Sequence, residues 1–242
     1  MAATADALLE PLSAAPGRTG LFLDFDGVLA PIVARPEGAV MPTETRVELE
    51  RLTGRYALVS VISGRPHEDV RARLRVDGVV IVGSHGLELS PEAEQWRGPI
   101  QAFARTAAWP AEQVELKGLS VAFHFRDAAD ERAAVEQLER LARRAAASGL
   151  IARWGRKVLE VLPPVGADKG TAVRRLLADT RLTQALVAGD DTTDLDAFRA
   201  VEGLDCAVRV AVLSEESPSL LRDCADIVVG STDEFLELLR KL

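Results

Sequence analysis

The stretch that most limits how this chain can fold is Leu21-Phe22-Leu23-Asp24-Phe25-Asp26-Gly27-Val28-Leu29, an apolar run that ends in two carboxylates and a glycine. Three apolar residues before Asp24 suit a strand buried on both faces, as in parallel sheets. Open sheets of that kind bind ligands outside the carboxyl ends of their strands. Asp24 is thereby expected at the mouth of a site. Asp24 and Asp26 lie two apart, so on an extended chain they point the same way, and converging carboxylates can hold a hard cation. Gly27 permits a tight departure that a side chain would hinder. Taken alone, the stretch also fits a strand that simply ends in an acidic turn.

Other strands end the same way. Residues 56–62 form a second buried apolar run that closes on Ser63-Gly64-Arg65. Residues 79–82 form a third, followed by Gly83-Ser84-His85-Gly86-Leu87-Glu88, and residues 184–189 run into Asp190-Asp191-Thr192-Thr193-Asp194. Between them the spacing predicts a helix over 43–53, capped by Thr43 with Val47, Leu49 and Leu52 on its apolar face. A short helix is expected over 67–74, and another opens at Asp168-Lys169-Gly170 and runs to 177. A helix near 195–200, strands near 207–210 and 227–229 and a closing helix over 232–242 continue the α/β alternation. Residues 1–19 read as a loose lead-in or short helix. The prolines of 30–39, Pro31 and Pro36, predict a loop around the site.

From about 101 to 165 the pattern changes. Residues 113–116 and 119–125 alternate around Lys117-Gly118 as a hairpin, and 150–154 with 157–162 form a second around Gly155-Arg156. Between them, 130–148 is helical, with Val135, Leu138 and Leu141 at helical spacing and Gly149 as its stop. The chain is therefore expected to form an α/β core of residues 1–100 and 166–242, with a parallel sheet flanked by helices. A smaller α+β insert of residues 101–165 interrupts it.

A formal charge of −8 argues against broad nucleic-acid binding, which needs an excess of basic residues along one surface. Cys206 and Cys224, neither in a metal-ligand spacing, read as buried small hydrophobes. No basic start precedes an apolar run at the N-terminus, and no stretch approaches the roughly 20 apolar residues that span a bilayer, so no membrane partner is expected and a cytoplasmic location is. Arg140, Arg143 and Arg144 read as a solvated helix face, and Trp96, Trp109 and Trp154 as packing residues. His85 reads as structural, whereas His124 alternates with Phe123 and Phe125 and faces away from them.

Four separated pieces thus converge on strand ends or helix starts: Asp24 with Asp26, Ser63, Lys169, and Asp190 with Asp191 and Asp194. Clustered carboxylates suit Mg²⁺, which takes oxygen ligands and readily shares phosphate oxygens. A lysine, a hydroxyl and backbone N–H groups can hold the other phosphoryl oxygens. An aspartate can take up the phosphoryl group covalently, with a second aspartate moving the proton. Asp191 and Asp194 can also be read as caps of the helix that follows them, for Asp194 as well as it reads as part of the acidic shell.

The order DxDG, Ser, Lys, GDDxxD resembles the haloacid dehalogenase superfamily, whose fold is a Rossmann-like core that here would carry a C2-type cap. The resemblance implies Asp24 as nucleophile and metal ligand, Asp26 as acid/base with its carbonyl on the metal, and Ser63 and Lys169 as phosphate holders. Asp190 and Asp191 would complete the Mg²⁺ site. Asp24-Phe25-Asp26-Gly27-Val28-Leu29-Ala30-Pro31-Ile32, with Pro36 and Ala39, is more specific. So are Ser63-Gly64-Arg65, the 83–88 stretch, Lys117-Gly118 before Ala122-Phe123-His124-Phe125-Arg126, and the Gly189–Asp194 stretch. Together they resemble the trehalose-6-phosphate phosphatase family.

That likeness implies hydrolysis of trehalose 6-phosphate, with sugar contacts on Arg65, Glu88, Lys117, His124, Arg126 and Glu160. It also implies a sugar phosphate as small-molecule partner and an association with trehalose-6-phosphate synthase. Leu195 departs from the family's acidic residue after its last aspartate, and Leu162 from its basic residue before proline. Two rival expectations stand beside this one. The first is a phosphatase or phosphomutase of the same fold acting on another sugar phosphate, such as sucrose 6-phosphate or mannosyl-3-phosphoglycerate. The second is a noncatalytic homologue that binds sugar phosphate for regulation.

Overall fold

The structure, a computed structural model, describes residues 4–33, 38–155, 157–214 and 217–242. Pro36 and Arg156, used in the sequence reading, lie outside the described residues. The chain divides into two compact units, one of residues up to Gly86 with Asp168–Leu242, the other Leu87–Ala167.

The first unit is an α/β layer structure. Strands β1 (Thr19–Leu23), β2 (Leu58–Ile62) and β3 (Val80–Val82) are interleaved with helices α1 (Ala5–Ala14), α2 (Thr43–Thr53) and α3 (His67–Leu74). The six-stranded sheet is completed by three strands from the C-terminal part, numbered in chain order below, and every pairing in it is parallel. All five residues of β1 and all five of β2 are buried. Helices on both faces of a parallel sheet leave its strands no polar side, and this is why these segments read as unbroken apolar runs.

Helix α2 corrects one detail of the sequence reading. Its buried face is Thr45, Glu48, Leu49 and Leu52, one stripe at i, i+3, i+4 and i+7, whereas Val47 falls off that stripe and is 59% exposed. Thr43 is the first helical residue, behind Pro42, and makes no side-chain capping bond.

A 3₁₀ stretch over Ser84–Leu89 carries the chain from the first unit into the second, which continues with a 3₁₀ turn over Pro91–Trp96 and helix α4 (Arg97–Arg105). Its sheet is antiparallel: β4 (Val114–Leu116), β5 (Val121–His124), β7 (Val158–Leu162) and β6 (Ile151–Gly155), in that spatial order. Helix α5 (Glu131–Ala147) is N-capped by Asp130, whose carboxylate accepts from the Ala133 N–H at 3.0 Å, and buries Ala134, Leu138, Leu141 and Ala145. The contact boundary at Gly86–Leu87 precedes the residue 100 drawn from sequence for a physical reason. Ile100 and Phe103 of α4 are buried in the same cluster as Val121, Phe123, Leu138 and Leu159.

Arg144 is not merely solvated: its guanidinium lies 4.7 Å from the Phe103 ring centroid and donates to the Thr106 carbonyl at 2.9 Å. Trp109 donates its indole N–H to the His124 carbonyl at 3.0 Å.

The chain then re-enters the first unit with α6 (Lys169–Thr180), β8 (Gln184–Gly189), α7 (Asp194–Ala200), β9 (Cys206–Val212), α8 (Ser219–Cys224), β10 (Ile227–Val229) and α9 (Thr232–Leu239). The full strand order, β10-β9-β8-β1-β2-β3, puts β1 between β8 and β2. Cys206 and Cys224 are partly exposed rather than buried. Among the described residues no helix is long and apolar enough to cross a membrane.

Candidate active site

The central position of β1 determines what surrounds Asp24. In register, Leu23 lies beside Val61 of β2 and Ala188 of β8, so the residues just past those strands, Ser63 and Asp190, emerge at the same sheet edge. Asp24 continues the ladder by donating its N–H to the Ala188 carbonyl at 3.0 Å, and its Oδ1 accepts from the Phe25 N–H at 2.7 Å. The carboxylate is thus aimed by backbone on both sides.

Lys169 opens α6 behind Asp168, whose side chain accepts from the Thr171 N–H at 2.6 Å while the Thr171 hydroxyl oxygen accepts from the Asp168 N–H at 2.9 Å. This reciprocal cap fixes where the helix begins. A first-turn lysine is ordinarily solvated, yet Lys169 is only 3% exposed. Its ammonium lies 2.9 Å from Asp24 Oδ2 and 2.7 Å from Asp194 Oδ1. The other oxygen of Asp194 accepts the N–H groups of Asp190 and Asp191 at 2.9 and 3.0 Å, so Asp194 fastens both the lysine and the loop after β8. It does not cap α7: the cap residue is Thr193, which makes no side-chain capping bond.

One oxygen from each of Asp24, Asp190 and Asp194 lies within 4.8 Å of the others, and all three residues are buried. Among the described residues a single ammonium, that of Lys169, lies against these converging buried carboxylates, and that donor set fits a hard divalent cation. The Asp24 carboxyl is pushed up to about 7, first by burial and then by Asp194 and Asp26, against the opposing pull of Lys169. For Lys169, burial favours the neutral amine, but Asp194 and Asp24 outweigh it and hold the ammonium well above the ordinary lysine range. Gly27 is required here: its φ is +80°, and an added Cβ would lie 2.1 Å from Asp190 Oδ2.

Of the other sequence-derived residues, Ser63 is buried and its hydroxyl accepts from the Arg65 N–H at 3.2 Å. Asp26 is half-buried and held by Arg65, whose Nε donates to Oδ2 at 2.6 Å and whose Nη2 donates to Oδ1 at 2.8 Å. Asp191 is half-buried, with Oδ1 accepting from the Thr192 N–H at 2.6 Å. Neither Asp26 nor Asp191 contributes an oxygen to the three-carboxylate cluster. His85 donates its N–H to the Ser63 carbonyl at 2.9 Å, and an added Cβ at Gly64 would strike its ring at 2.5 Å, in keeping with a structural role.

In the second unit, Lys117, His124 and Glu160 come together with three residues the sequence reading did not name. Glu160 accepts from Ser120 at 3.0 Å and from Arg153 at 2.9 Å, and Lys117 lies 3.5 Å from it. His124 Nε2 lies 2.9 Å from Glu115 Oε2. Ser120 alternates with Ala122 and His124, and Arg153 pairs in register with Glu160, so strand sidedness was the available signal. Glu88 and Arg126 are exposed. The two departures are packing positions: Leu162 is buried with Leu87, Ala93 and Leu119, and Leu195 is buried in α7.

A parallel sheet with a buried aspartate at the end of its central strand, a helix-borne lysine on that aspartate and an acidic loop after the neighbouring strand make up an α/β fold like that of a haloacid dehalogenase-like hydrolase from Bacteroides thetaiotaomicron, with a TM-score of 0.61 at 17% identity over 93% of this chain and 99% of that one. The fold matches that of the C-terminal domain of Candida albicans trehalose-6-phosphate phosphatase with a TM-score of 0.77 at 21% identity, over 98% of this chain and 96% of that one. Residues 22–221 match the trehalose-phosphatase family, and the chain belongs to it. It is 38% identical over 218 residues to an uncharacterized glycosyl hydrolase of Mycobacterium tuberculosis, a match covering 79% of this chain and 16% of that protein. Against the trehalose-phosphate phosphatase of Mycobacterium marinum it is 33% identical over 213 residues, 80% of this chain and 54% of the relative. The chain therefore spans about a sixth of the first relative's length and about half of the second's.

Proposed function

We propose that this protein is a phosphatase that hydrolyses trehalose 6-phosphate to trehalose and inorganic phosphate. The observation that carries the proposal is Asp24, buried at the end of the central strand, with Lys169 2.9 Å away, in a member of the trehalose-phosphatase family. In the first step an Asp24 oxygen attacks phosphorus, the bond from phosphorus to the sugar oxygen breaks, and Asp26 gives its proton to that oxygen. In the second, water loses a proton to Asp26 and attacks phosphorus, breaking the acyl phosphate and restoring the Asp24 carboxylate. The Lys169 ammonium and the Ser63 hydroxyl hold phosphoryl oxygens through both steps.

Asp24, Asp190, Asp191 and the Asp26 carbonyl are the groups assigned to Mg²⁺. The near approach of Asp24 and Asp190 supports the first two, while Asp194 has both oxygens engaged by Lys169 and backbone N–H groups. When bound, the cation supplies the positive charge that three buried carboxylates and an incoming phosphate require. The hydroxyl-rich sugar is assigned to Lys117, His124, Glu160, Glu88 and Arg126 of the second unit; the approach of Lys117 to Glu160 at 3.5 Å supports the pairing of those two.

Phosphate release from purified protein across a panel of sugar phosphates, with and without Mg²⁺, tests this. Trehalose 6-phosphate is expected to be turned over fastest and only with the cation. Equal or better turnover of another sugar phosphate would overturn the substrate assignment, and binding without release would make the protein a sensor rather than an enzyme.

A further inference from the structure

Arg65 follows Ser63 by two residues, and the family resemblance assigns it to the sugar. Its geometry points elsewhere. The side chain is 7% exposed, and each of its three nitrogens donates to a carboxylate: Nε and Nη2 to the two oxygens of Asp26 at 2.6 and 2.8 Å, Nη1 to Asp69 Oδ2 at 2.8 Å. Asp69, on α3, is held in turn by Arg73 Nε at 2.9 and 3.0 Å, and Arg73 Nη1 donates to the Ala39 carbonyl at 2.8 Å. The Arg65 backbone is tied as well, its N–H on the Ser63 hydroxyl at 3.2 Å and its carbonyl accepting from the Ser84 N–H at 2.8 Å. The guanidinium carbon stands 5.8 Å from the centroid of the buried Phe25 ring.

We propose that Arg65 is a positioning residue, whose planar fork holds both oxygens of Asp26 in the orientation proton transfer needs and is itself braced by Asp69 and Arg73. The proposal rests on the phosphatase reading above, in which Asp26 moves the proton. Asp26 sits beyond the strand on a short loop with its side chain 37% exposed, so without the fork its carboxyl group rotates freely. A bidentate arginine restricts that rotation in a way a single ammonium cannot. Each carboxylate oxygen keeps a second lone pair with which to meet the leaving oxygen or the water.

The test compares trehalose 6-phosphate with p-nitrophenyl phosphate, whose leaving group departs as a stable anion and needs no proton. For Arg65→Ala, kcat on trehalose 6-phosphate is expected to fall on the order of 10²-fold, the size of a general acid–base contribution, with KM within about threefold of wild type. On p-nitrophenyl phosphate the same variant should release one equivalent of nitrophenolate per enzyme in a burst and then turn over slowly. Transfer to Asp24 needs no acid there, whereas release of phosphate still needs Asp26 as base.

Arg65→Lys keeps the charge without the fork and should recover only part of the loss. Asp69→Asn removes the outer brace alone, so it should lower kcat by a smaller factor at unchanged KM, and it decides the matter should Arg65→Ala not fold. A rise in KM of about tenfold or more with kcat preserved would make Arg65 a sugar contact and overturn the proposal, leaving the phosphatase reading intact. Equal loss of burst and turnover on both substrates would overturn it too. A wild-type protein inactive on every sugar phosphate would instead refute the phosphatase reading on which the proposal rests.

Discussion

Replacing Asp24 by asparagine should destroy activity and, in the absence of divalent cation, make the protein more stable at neutral pH. The side chain is 7% exposed and its carboxyl is raised from 3.8 to about 7, so the folded protein holds that proton more tightly than the unfolded chain. The stability this confers is complete below the unfolded value near 4 and is lost as pH rises through about 7. A rise of that size, at about 1.4 kcal/mol per unit, sets a ceiling of about 4 kcal/mol. The attraction of Lys169 is already included, because the shift is net of it. Local relaxation reduces the figure to on the order of 1–3 kcal/mol, or about 3 °C or more in Tm for a chain of this size. Thermal melts of both proteins in a chelator from pH 4.5 to 7.5 measure it: the difference should be smallest at the acid end and widen in favour of Asp24→Asn towards the neutral end. Mg²⁺ should then raise the wild type more than the variant. A difference independent of pH, or a variant less stable at pH 7.5 in chelator, would refute the argument.

Two further substitutions probe the same cluster. Lys169→Met keeps the length of the side chain but removes the ammonium from between Asp24 and Asp194, and unpairing buried carboxylates should cost about 3 kcal/mol or more, read from denaturant unfolding at pH 7.5 without metal; a loss under about 1 kcal/mol would mean that the pair is not buried as described. Gly27→Ala must take an unfavourable φ of +80° at about 1–2 kcal/mol and also displace the Asp190 carboxylate, so the activity should need markedly more Mg²⁺, and a wild-type Mg²⁺ titration curve would contradict the contact.

The strands of the first unit were legible because burial on both faces leaves an uninterrupted apolar signature, and the residues that follow them were legible because a parallel sheet gathers its strand ends at one edge. Helix α4 was not. Its first turn is Arg97-Gly98-Pro99, and only Ile100 and Phe103 mark its buried side, too little to reveal a helix or to show that the second unit starts before residue 100. Asp69 and Arg73 stand at i+4 and i+8 from Arg65, a spacing visible in the sequence. The bond from Arg65 to Asp26 crosses 39 positions and only the fold discloses it. Asp194 could be read either as a helix cap or as part of the acidic shell. What its oxygens meet, an ammonium 25 residues back and two backbone N–H groups, gives it a third role.

That third role bears on the proposal that Asp24 is the nucleophile, which requires it to keep both a nearby ammonium and an oxygen able to attack. Were Lys169 paired with Asp24 alone, the attraction would hold the carboxylate firmly ionised but also engage the oxygen that must attack. Asp194 draws the ammonium from the far side at 2.7 Å, against 2.9 Å to Asp24, so Asp24 shares the lysine with a competitor. The price is a buried place in which, among the described residues, three carboxylates face one ammonium; burial first, and then Asp194 and Asp26, raise the Asp24 carboxyl. A site selected for stability would not be built this way, since a carboxylate replaced by an amide of the same shape would relieve the strain. Three buried acids around one ammonium among the described residues, with Gly27 lacking a side chain where Asp190 approaches, are what the proposed reaction calls for: a cation would supply the missing positive charge and a phosphoryl group would be bound beside it.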